Sequence, residues 1–276
     1  MSNFDLQYFQ FGTLVFDLYN KRVTNRANVV RSQMVQLADG LLFDGYLTEQ
    51  AGRELPASIR IQGAVMKDTP AELQAEIDGI KSWLGKREKL YRRRADGTEQ
   101  WVYARLMSVP ESSEGGQLSH REIELEFAQL SPVWNGADRS ATTYLDAGGN
   151  SIIITNNGNA PVKNLVLKID NFSSGKDITS VMVVKLRDDF SVEAGFTITL
   201  TIDYPHHLKI DCGTKMLTTT ASGAPTDLYN TMVFNTDHSL EEWLVLDPGP
   251  NNFFILCTGD SGFVGSAVFT FKDGWQ

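Results

Sequence analysis

The sequence predicts a mainly β protein with two domains, a β-barrel or sandwich carrying one α-helix and then an antiparallel β-sandwich. Three observations support this fold class. The chain has 276 residues, which favours two domains of about 130 to 140 residues over one. Short segments alternate between apolar and polar residues, as strands do when they bury one face. Only one segment has the periodicity and the capping residues of a helix.

The strands of the first domain are predicted at 14–18, 57–66, 101–106 and 122–127. The last of these alternates most clearly, because apolar and acidic residues take turns along it. One face carries Ile123, Leu125 and Phe127, and the other carries Glu122, Glu124 and Glu126.

The single predicted helix lies within residues 68–85. Thr69 can accept a hydrogen bond from the first turn and Glu72 can reach back to the Thr69 amide, which is the capping-box pattern. Pro70 suits the first helical position, and Gly85 suits a left-handed end to the helix. An apolar stripe is predicted to face the core; its members are Leu73, Ile77, Ile80 and Leu84.

The domain boundary is expected near residues 132–145, which gives a first domain of residues 1–136 and a second of residues 137–276. Pro132 and the polar run from Asn135 to Asp138 are typical of a turn-rich linker.

The second domain is predicted to be almost entirely β, because short apolar segments are separated by turn residues rich in Asn, Gly, Ser and Pro. The expected strands are 151–155, 162–169, 180–186, 196–202, 207–211, 232–235, 242–246, 253–258 and 264–271.

The net charge of −9 is concentrated in the second domain. Residues 1–136 hold 16 Lys and Arg against 18 Asp and Glu, whereas residues 137–276 hold 9 against 16. An acidic chain disfavours phosphate-backbone binding as its main task. It suits a surface past which DNA slides without sticking, and simple solubility explains the same charge.

Composition and the chain start favour synthesis in a reducing cytoplasm. Cys212 and Cys257 form no metal pattern, and two cysteines are fewer than a secreted disulfide scaffold uses. The first residues lack the basic start and apolar stretch of a signal peptide, and no apolar run is long enough for a membrane helix.

Three groups of residues resemble catalytic or metal sites without meeting their requirements. Ser261 lies in a Gly-Asp-Ser-Gly segment, but the sequence offers it no histidine base, so a turn between strands is expected. His206 and His207 are adjacent and would point to opposite faces of a strand. Asp177, Asp188 and Asp189 lack an ordered calcium loop. We therefore expect no catalytic residue, no metal and no cofactor.

A basic cluster precedes and enters a predicted hairpin with an Asp-Gly turn at Asp96-Gly97. It has three interpretations: a solvated hairpin flank, a contact between subunits through the acidic face of 122–127 or with a neighbouring ring, or a DNA contact. The acidic net charge favours a subunit contact over DNA. The residues singled out for that contact are Arg92, Arg93, Arg94, Glu122, Glu124 and Glu126.

Two further features allow more than one interpretation. The apolar stretch 41–47 is either a core strand or part of a loop that covers a neighbouring subunit. Exposed aromatic residues of the second domain would form a sugar platform if that domain were a carbohydrate-binding module, although a buried aromatic is the more common case. The candidates are Tyr144, Tyr204, Tyr229 and Trp243.

The order of these motifs resembles the distal tail protein family of siphophages. In the first domain the resemblance rests on a strand, the capped helix, two more strands and then the segment 131–136, Ser-Pro-Val-Trp-Asn-Gly. In the second domain it rests on the Asn-rich turn 156–161, the Pro-Gly turn 246–252 and the last strand 268–275. No large insertion separates the predicted strands, which argues against a dedicated host-glycan module.

The resemblance implies a structural virion protein and not an enzyme. Six copies would form a ring at the distal end of a phage tail, with tail-tube-like first domains closing the ring and peripheral second domains of galectin-like or, as the alternative, OB-type fold. The implied partners are the tail tube protein, the tip or baseplate hub protein and the genomic DNA that passes through the ring. The alternative function is a carbohydrate-binding module of a host-adhesion device.

Overall fold

The structure, a computed structural model, describes residues 8–16, 22–30, 58–93, 97–109, 120–131, 133–235 and 243–275. For residues 22–30, 58, 62 and 120 it describes the backbone alone. The chain divides into two compact units, Met1–Gly136 and Ala137–Trp275. Strands and one α-helix make up the regular structure of the described ranges, and all strand pairs are antiparallel, so the predicted mainly β fold class is confirmed.

The first unit is one antiparallel sheet with a helix packed against it. Along the sheet the strands run in the order β3, β4, β7, β6, β5, β1, β2. The elements are β1 (Phe9–Phe11), β2 (Leu14–Phe16), β3 (Arg22–Val30), β4 (Ser58–Met66), α1 (Pro70–Lys81), β5 (Arg87–Arg93), β6 (Glu99–Ser108) and β7 (His120–Gln129).

Helix α1 begins as the sequence predicts. The Glu72 amide donates to Oγ1 of Thr69, and the Thr69 amide donates to Oε2 of Glu72, each at 3.2 Å, so both halves of the capping box are present. Leu73, Ile77 and Ile80 are buried, as expected from the apolar stripe.

The predicted end of the helix is wrong. Helix α1 ends at Lys81, with Ser82 as its C-cap, so Leu84 lies beyond the stripe and is 44% exposed. Gly85 does adopt a left-handed conformation, but its amide donates to the carbonyl of Leu106 and not to the helix. Bonding to a strand, a contact distant in sequence, therefore set the path of the chain after Lys81.

The sheet of the first unit curls around its core. On a flat sheet β1 and β7, three positions apart, would be separated by about 14 Å. The rings of Phe11 on β1 and Phe127 on β7 are only 5.0 Å apart, which requires the sheet to bend so that these strands face each other. The two outermost strands, β2 and β3, also approach within 8 Å between Cα atoms. Among the described residues β2 and β3 do not pair, so the curled sheet stops short of a closed barrel.

The second unit is a sandwich of two antiparallel sheets. One runs in the order β14, β13, β10, β17, β8 and the other in the order β15, β12, β11, β16, β9. The strands are β8 (Trp134–Leu145), β9 (Asn150–Asn156), β10 (Val166–Asn171), β11 (Ile178–Leu186), β12 (Val192–Ile198), β13 (His207–Asp211), β14 (Met216–Thr219), β15 (Met232–Phe234), β16 (Gly249–Gly259) and β17 (Gly265–Trp275). Strand β8 starts within the last residues of the first unit.

Buried side chains of the two sheets pack into one core, in which the rings of Phe253 on β16 and Phe269 on β17 lie 5.2 Å apart. The alternation of apolar and polar residues therefore predicted the right class of fold. The described residues of the second unit form a sandwich, as predicted, and not an OB-type barrel.

Three strand predictions are corrected. The segment from Asn135 to Asp138 is part of β8 and not a turn, because Asn135 pairs with Trp101 and later residues continue the strand. Residues 243–246 form no strand, and Leu246 makes only an isolated bridge to Val162. Strand β14 was not predicted; it is short, and it pairs only with β13.

The three motifs that carry the resemblance in the second domain meet in space. The side-chain oxygen of Asn156 accepts from the amides of Gly158 and Gly274, and its nitrogen donates to the carbonyl of Ala160 at 2.8 Å. The amide of Ala160 in turn donates to the carbonyl of Gly274.

The Pro-Gly turn is fastened to the same end of the unit. Val162 and Leu246 exchange backbone hydrogen bonds, and buried Asn251 accepts from the Asp247 amide and donates to the carbonyl of Asp247, each at 2.8 Å. Segments far apart in the sequence are thus joined by buried amide side chains that make several hydrogen bonds each.

Candidate assembly surface

The hairpin of β5 and β6 separates an inner from an outer face. Leu90 and Val102 lie opposite each other and are both fully buried in the core. The residues that alternate with them point outward, and four of these are cations. We call these four the basic strip: Arg87, Lys89 and Arg93 on β5, and Arg105 on β6.

Aromatic rings support three of the four cations. Arg87 lies 4.8 Å from the centre of the Tyr103 ring, Lys89 lies 4.3 Å from Trp101, and Arg93 lies 4.4 Å from Tyr8. Each such contact stabilises by roughly 0.5 to 1 kcal/mol at an exposed site. The rings also restrict the long side chains, so the strip presents its charges with reduced conformational freedom.

Arg92 is not part of this surface, and its predicted place in a subunit contact is corrected. One step along a strand reverses the face, so Arg92 points inward beside Leu90 and is only 4% exposed. Its guanidinium lies 4.0 Å from the centre of the Trp134 ring, and its Nε donates to Oε1 of Gln100 at 2.8 Å. Arg92 therefore stabilises the unit from inside.

The acidic residues of β7 form a second row on the same outer face of the sheet. We call Glu122, Glu124 and Glu126 the acidic strip; the residues that alternate with them, including Leu125 and Phe127, are buried as predicted. Arg60 on β4 lies opposite Glu126, with 3.3 Å between its Nη2 and Oε1 of Glu126 and 3.9 Å between its Nε and Oε1 of Glu124. Glu122 is exposed.

Arg94 and the apolar stretch 41–47 lie outside the described residues, so both predictions stand as they were made. The predicted turn after Arg94 is visible only at Gly97, which has a φ of +82°.

The proposed sugar platform does not form as predicted. Trp243 is 8% exposed and packs in the core against Phe196, Phe234 and Tyr229, with ring centroids 6.2, 5.7 and 6.5 Å away. Because so little of Trp243 is exposed, it offers no flat surface to a sugar.

The three tyrosines of that group are more exposed. Tyr144 is 76% exposed, Tyr204 48% and Tyr229 49%. They lie on strand β8, in the loop before β13 and on the 3-10 turn Leu228–Thr231.

Ser261 occupies a turn, as expected. It is exposed between β16 and β17. Two hydrogen bonds hold the turn: the Asp260 amide donates to the Asp177 carbonyl at 2.9 Å, and the Asp177 amide donates to Oδ2 of Asp260 at 2.8 Å. The aspartate of the segment therefore fastens two loops.

The cysteines are buried and not bonded to each other. Burial raises the pKa of Cys212 and of Cys257 to about 12, so both thiols stay protonated at neutral pH. In the described part of the chain no three acidic, histidine or cysteine side chains cluster as metal ligands would. No helix there is long and apolar enough to cross a membrane.

A charged groove in the second unit was missed by sequence reasoning. Lys185 is 3% exposed at the end of β11, and its Nζ contacts Glu193, at 2.8 Å, and Asp247. These residues line a groove of about 460 Å³ together with Arg187 and Asn252, among others. The available signal was a lysine at an inward position of an otherwise apolar alternating strand.

No protein-family model and no curated protein matches the sequence. Among solved structures, the likeness extends over nearly the whole chain. The chain is similar to the Dit (gp 19.1) protein of phage SPP1, described as a paradigm of the hub adsorption apparatus in phages that infect Gram-positive bacteria. Identity is 14%, the TM-score is 0.62, and the match covers 96% of this chain and 98% of Dit.

Chains of the phage p2 baseplate in its activated conformation, with Sr and with Ca, match at 11% and 12% identity. Their TM-scores are 0.41 and 0.40. The matches cover 96% and 97% of this chain, and 97% of the baseplate chain in each case. These scores are too low to support an inference.

Both units and their order thus follow the fold of a phage distal tail protein. The structure that matches is that of SPP1 Dit. At 14% sequence identity, the match shows that the two chains share a fold. The resemblance inferred from the sequence motifs is confirmed at that level.

Proposed function

We propose that this protein is a structural component of a bacteriophage tail that forms a hexameric ring at the distal end, where the tail tube meets the tip or baseplate hub. The observation that carries the proposal is the match to Dit, which covers 96% of this chain and 98% of that one. Only short segments of either fold are therefore unmatched. In this proposal the units within residues 1–136 close the ring, and the units within residues 137–276 lie at its periphery.

The ring would surround the channel through which the genome leaves the particle. Residues 1–136, which would form the wall of this channel, hold 16 Lys and Arg against 18 Asp and Glu, and a wall without excess positive charge does not hold a moving polyanion. The partners would be five further copies of the chain, the tail tube protein on one side and the tip or baseplate hub protein on the other. The protein would be made in the host cytoplasm and act in the virion.

The proposed role is assembly and not catalysis. Ser261 is exposed in a turn, and the cysteine thiols are buried and protonated, so neither supplies an activated nucleophile. The carbohydrate-binding alternative loses one of its four candidate aromatic residues, since Trp243 is in the core. Three exposed tyrosines remain, and a sugar site needs convergent polar groups beside such a ring.

The test is the mass of the purified full-length chain across a range of concentrations, combined with labelling of phage particles by an antibody against it. The chain has a mass of 30.7 kDa, and we expect a species of six times that mass. We also expect the antibody to label the distal end of the tail. A chain that stays monomeric at every concentration and is absent from the tail would overturn the proposal. Stabilisation of such a monomer by a sugar would favour the carbohydrate-binding alternative.

A further inference from the structure

Strand β9 forms one edge of the five-stranded sheet of the second unit. In the described part of the chain it pairs with β16 along all seven of its residues and has no strand on its other side. The opposite edge of the same sheet, β15, has only three residues, and the edge strand β14 of the other sheet has four. Proteins blunt long edges with charged residues, proline or bulges, because an open edge pairs readily with another chain. Strand β9, Asn-Ser-Ile-Ile-Ile-Thr-Asn, contains none of these devices.

The backbone groups of every second residue of β9 point to the open edge. The Ile154 carbonyl is turned toward β16, where it accepts from Nδ2 of Asn251 at 3.4 Å. Since the N–H and C=O directions alternate along an antiparallel strand, those of Ser151, Ile153 and Thr155 point away from β16. The backbone bonds at the opposite edge of the sheet, followed strand by strand across β12, β11 and β16, give the same direction. The side chains of these three residues are exposed on the outer face.

The order of residue types in β9 is the same in both directions. An antiparallel strand of a second copy, centred on Ile153, would therefore place isoleucine opposite isoleucine. Ser151 of each copy would lie opposite Thr155 of the other, and Asn150 opposite Asn156. No like charges would meet along the pair, and the outward-pointing residues would exchange about six backbone hydrogen bonds. The open edge of β9 is thus complementary to itself.

From these observations we infer that β9 is a two-fold contact between copies of this chain, in which the two strands pair antiparallel about Ile153 and join their sheets edge to edge. The inference goes beyond the proposed function, because a two-fold contact does not close a ring of six. It joins two free chains, or copies that belong to two rings. One pair of strands is a small contact beside the roughly 800 Å² per partner of a stable complex, so we expect pairing to depend on protein concentration.

The register predicts which cysteine variants of the full-length chain form a disulfide between copies. Ile153→Cys places two cysteines directly opposite each other, so mild oxidation should link the copies. Ser151→Cys alone should not link, because the two cysteines would lie about 14 Å apart along the strands. Mixed with Thr155→Cys, it should link, since these positions are opposite each other. The native Cys212 and Cys257 are buried, so they do not compete in this reaction.

A charge at the centre of β9 tests the same contact without oxidation. Ile153→Lys would set two cations opposite each other, so the concentration of half-pairing, measured by light scattering, should rise at least about tenfold. The matched control is Val233→Lys on the edge strand β15, because Val233 and Ile153 are both 65% exposed; it should leave pairing unchanged.

Amide hydrogen exchange reports whether each variant is folded. In the wild type it should show the amides of Ser151, Ile153 and Thr155 protected at high concentration and exchanging at low concentration. If Ile153→Lys loses its fold, the cysteine variants decide.

Three results would overturn the inference. The first is a folded Ile153→Cys variant that forms no disulfide between copies. The second is a Ser151→Cys variant that links to itself as readily as the mixture does, which would show contact without this register. The third is protection of the Ile153 amide in phage particles alone, which would assign the edge to another tail protein. A chain that pairs but forms no species of six would refute the proposed function alone, whereas a ring of six without pairing would refute this inference alone.

Discussion

The first unit carries its charged residues on the outer face of a curled sheet, whereas the second unit buries polar residues that join its own loops. Arg87, Lys89 and Arg93 stack on rings at the surface, and Arg87 faces Arg105 across the strands. Asn156 and Asp273, in contrast, are 1% and 3% exposed and bond to segments more than a hundred residues away. The second unit thus uses buried polar groups to join its own segments, whereas the first unit exposes a row of charged groups on its surface.

The largest effect is expected at Gly158, which lies against the backbone of Gly274 on β17. A Cβ at Gly158 would lie 1.7 Å from the carbonyl oxygen of Gly274, and backbone cannot move aside as a side chain can. Gly158→Ala should destabilise the second unit by about 3 kcal/mol. Gly175→Ala is the control, since its added Cβ meets nothing within 4 Å and only its φ of +72° is unfavourable, at about 1 kcal/mol.

Thermal unfolding of the full chain, with hydrogen exchange to locate the change, measures both glycine variants. Loss of protection should be confined to the second unit. Equal destabilisation by the two variants would mean that the close approach of Gly158 to the Gly274 backbone does not affect stability.

Arg92 and Arg93 are neighbours on β5, and they lie on the inner and the outer face of the first unit. Arg92→Gln removes a buried cation from Trp134 and from Gln100 and should cost about 2 kcal/mol of stability. Arg93→Gln removes an exposed cation from the Tyr8 ring and should cost at most about 0.5 to 1 kcal/mol of stability. Chemical denaturation of the two single variants measures the difference; a reversed order would contradict the assignment of faces.

Asp273 tests whether the second unit depends on its buried polar network. Its two oxygens accept from the Asn157 amide and from Nε of Arg139, each at 3.0 Å. Asp273→Asn replaces one acceptor by a donor and should cost about 1 to 2 kcal/mol. Asp138→Asn is the control, because the Asp138 side chain is 83% exposed and its pair with Lys272 is screened by solvent. The same loss of stability in both variants would show that the network contributes nothing beyond surface charge.

The smallest effect is expected at Ser261. Ser261→Ala should change the free energy of unfolding by less than about 0.5 kcal/mol and should leave assembly unaffected. Ser173→Ala, in the loop that faces the same turn, should cost about 1 kcal/mol, because Oγ of Ser173 accepts from the Val264 amide at 2.6 Å. An ester-hydrolysing activity that disappears with Ser261→Ala would contradict the structural role.

Short-range patterns determined a large part of this fold. The start of helix α1 was predictable because Thr69, Pro70 and Glu72 interact within four residues. The buried side of β7 was predictable because the face alternates at each residue. The same alternation in β5 pointed to Arg92 as an inward residue beside Leu90, but its charge suggested a surface position. The buried guanidinium contacts the Trp134 ring and the Gln100 amide, and neither group is visible in the local pattern of β5.

The remaining features depended on residues far apart in the chain. Arg92 lies over Trp134, and Trp243 lies among Phe196 and Phe234, so each environment is supplied by another strand. After α1 the chain bonds through the Gly85 amide to Leu106 on β6, a contact that the local pattern of the helix does not contain. The sequence by itself determined where the helix begins, which side of β7 is buried and where most of the strands lie, because capping and alternation act over a few residues. Only the tertiary structure decided which charges are buried, because distant strands supply their surroundings when they pack around one core.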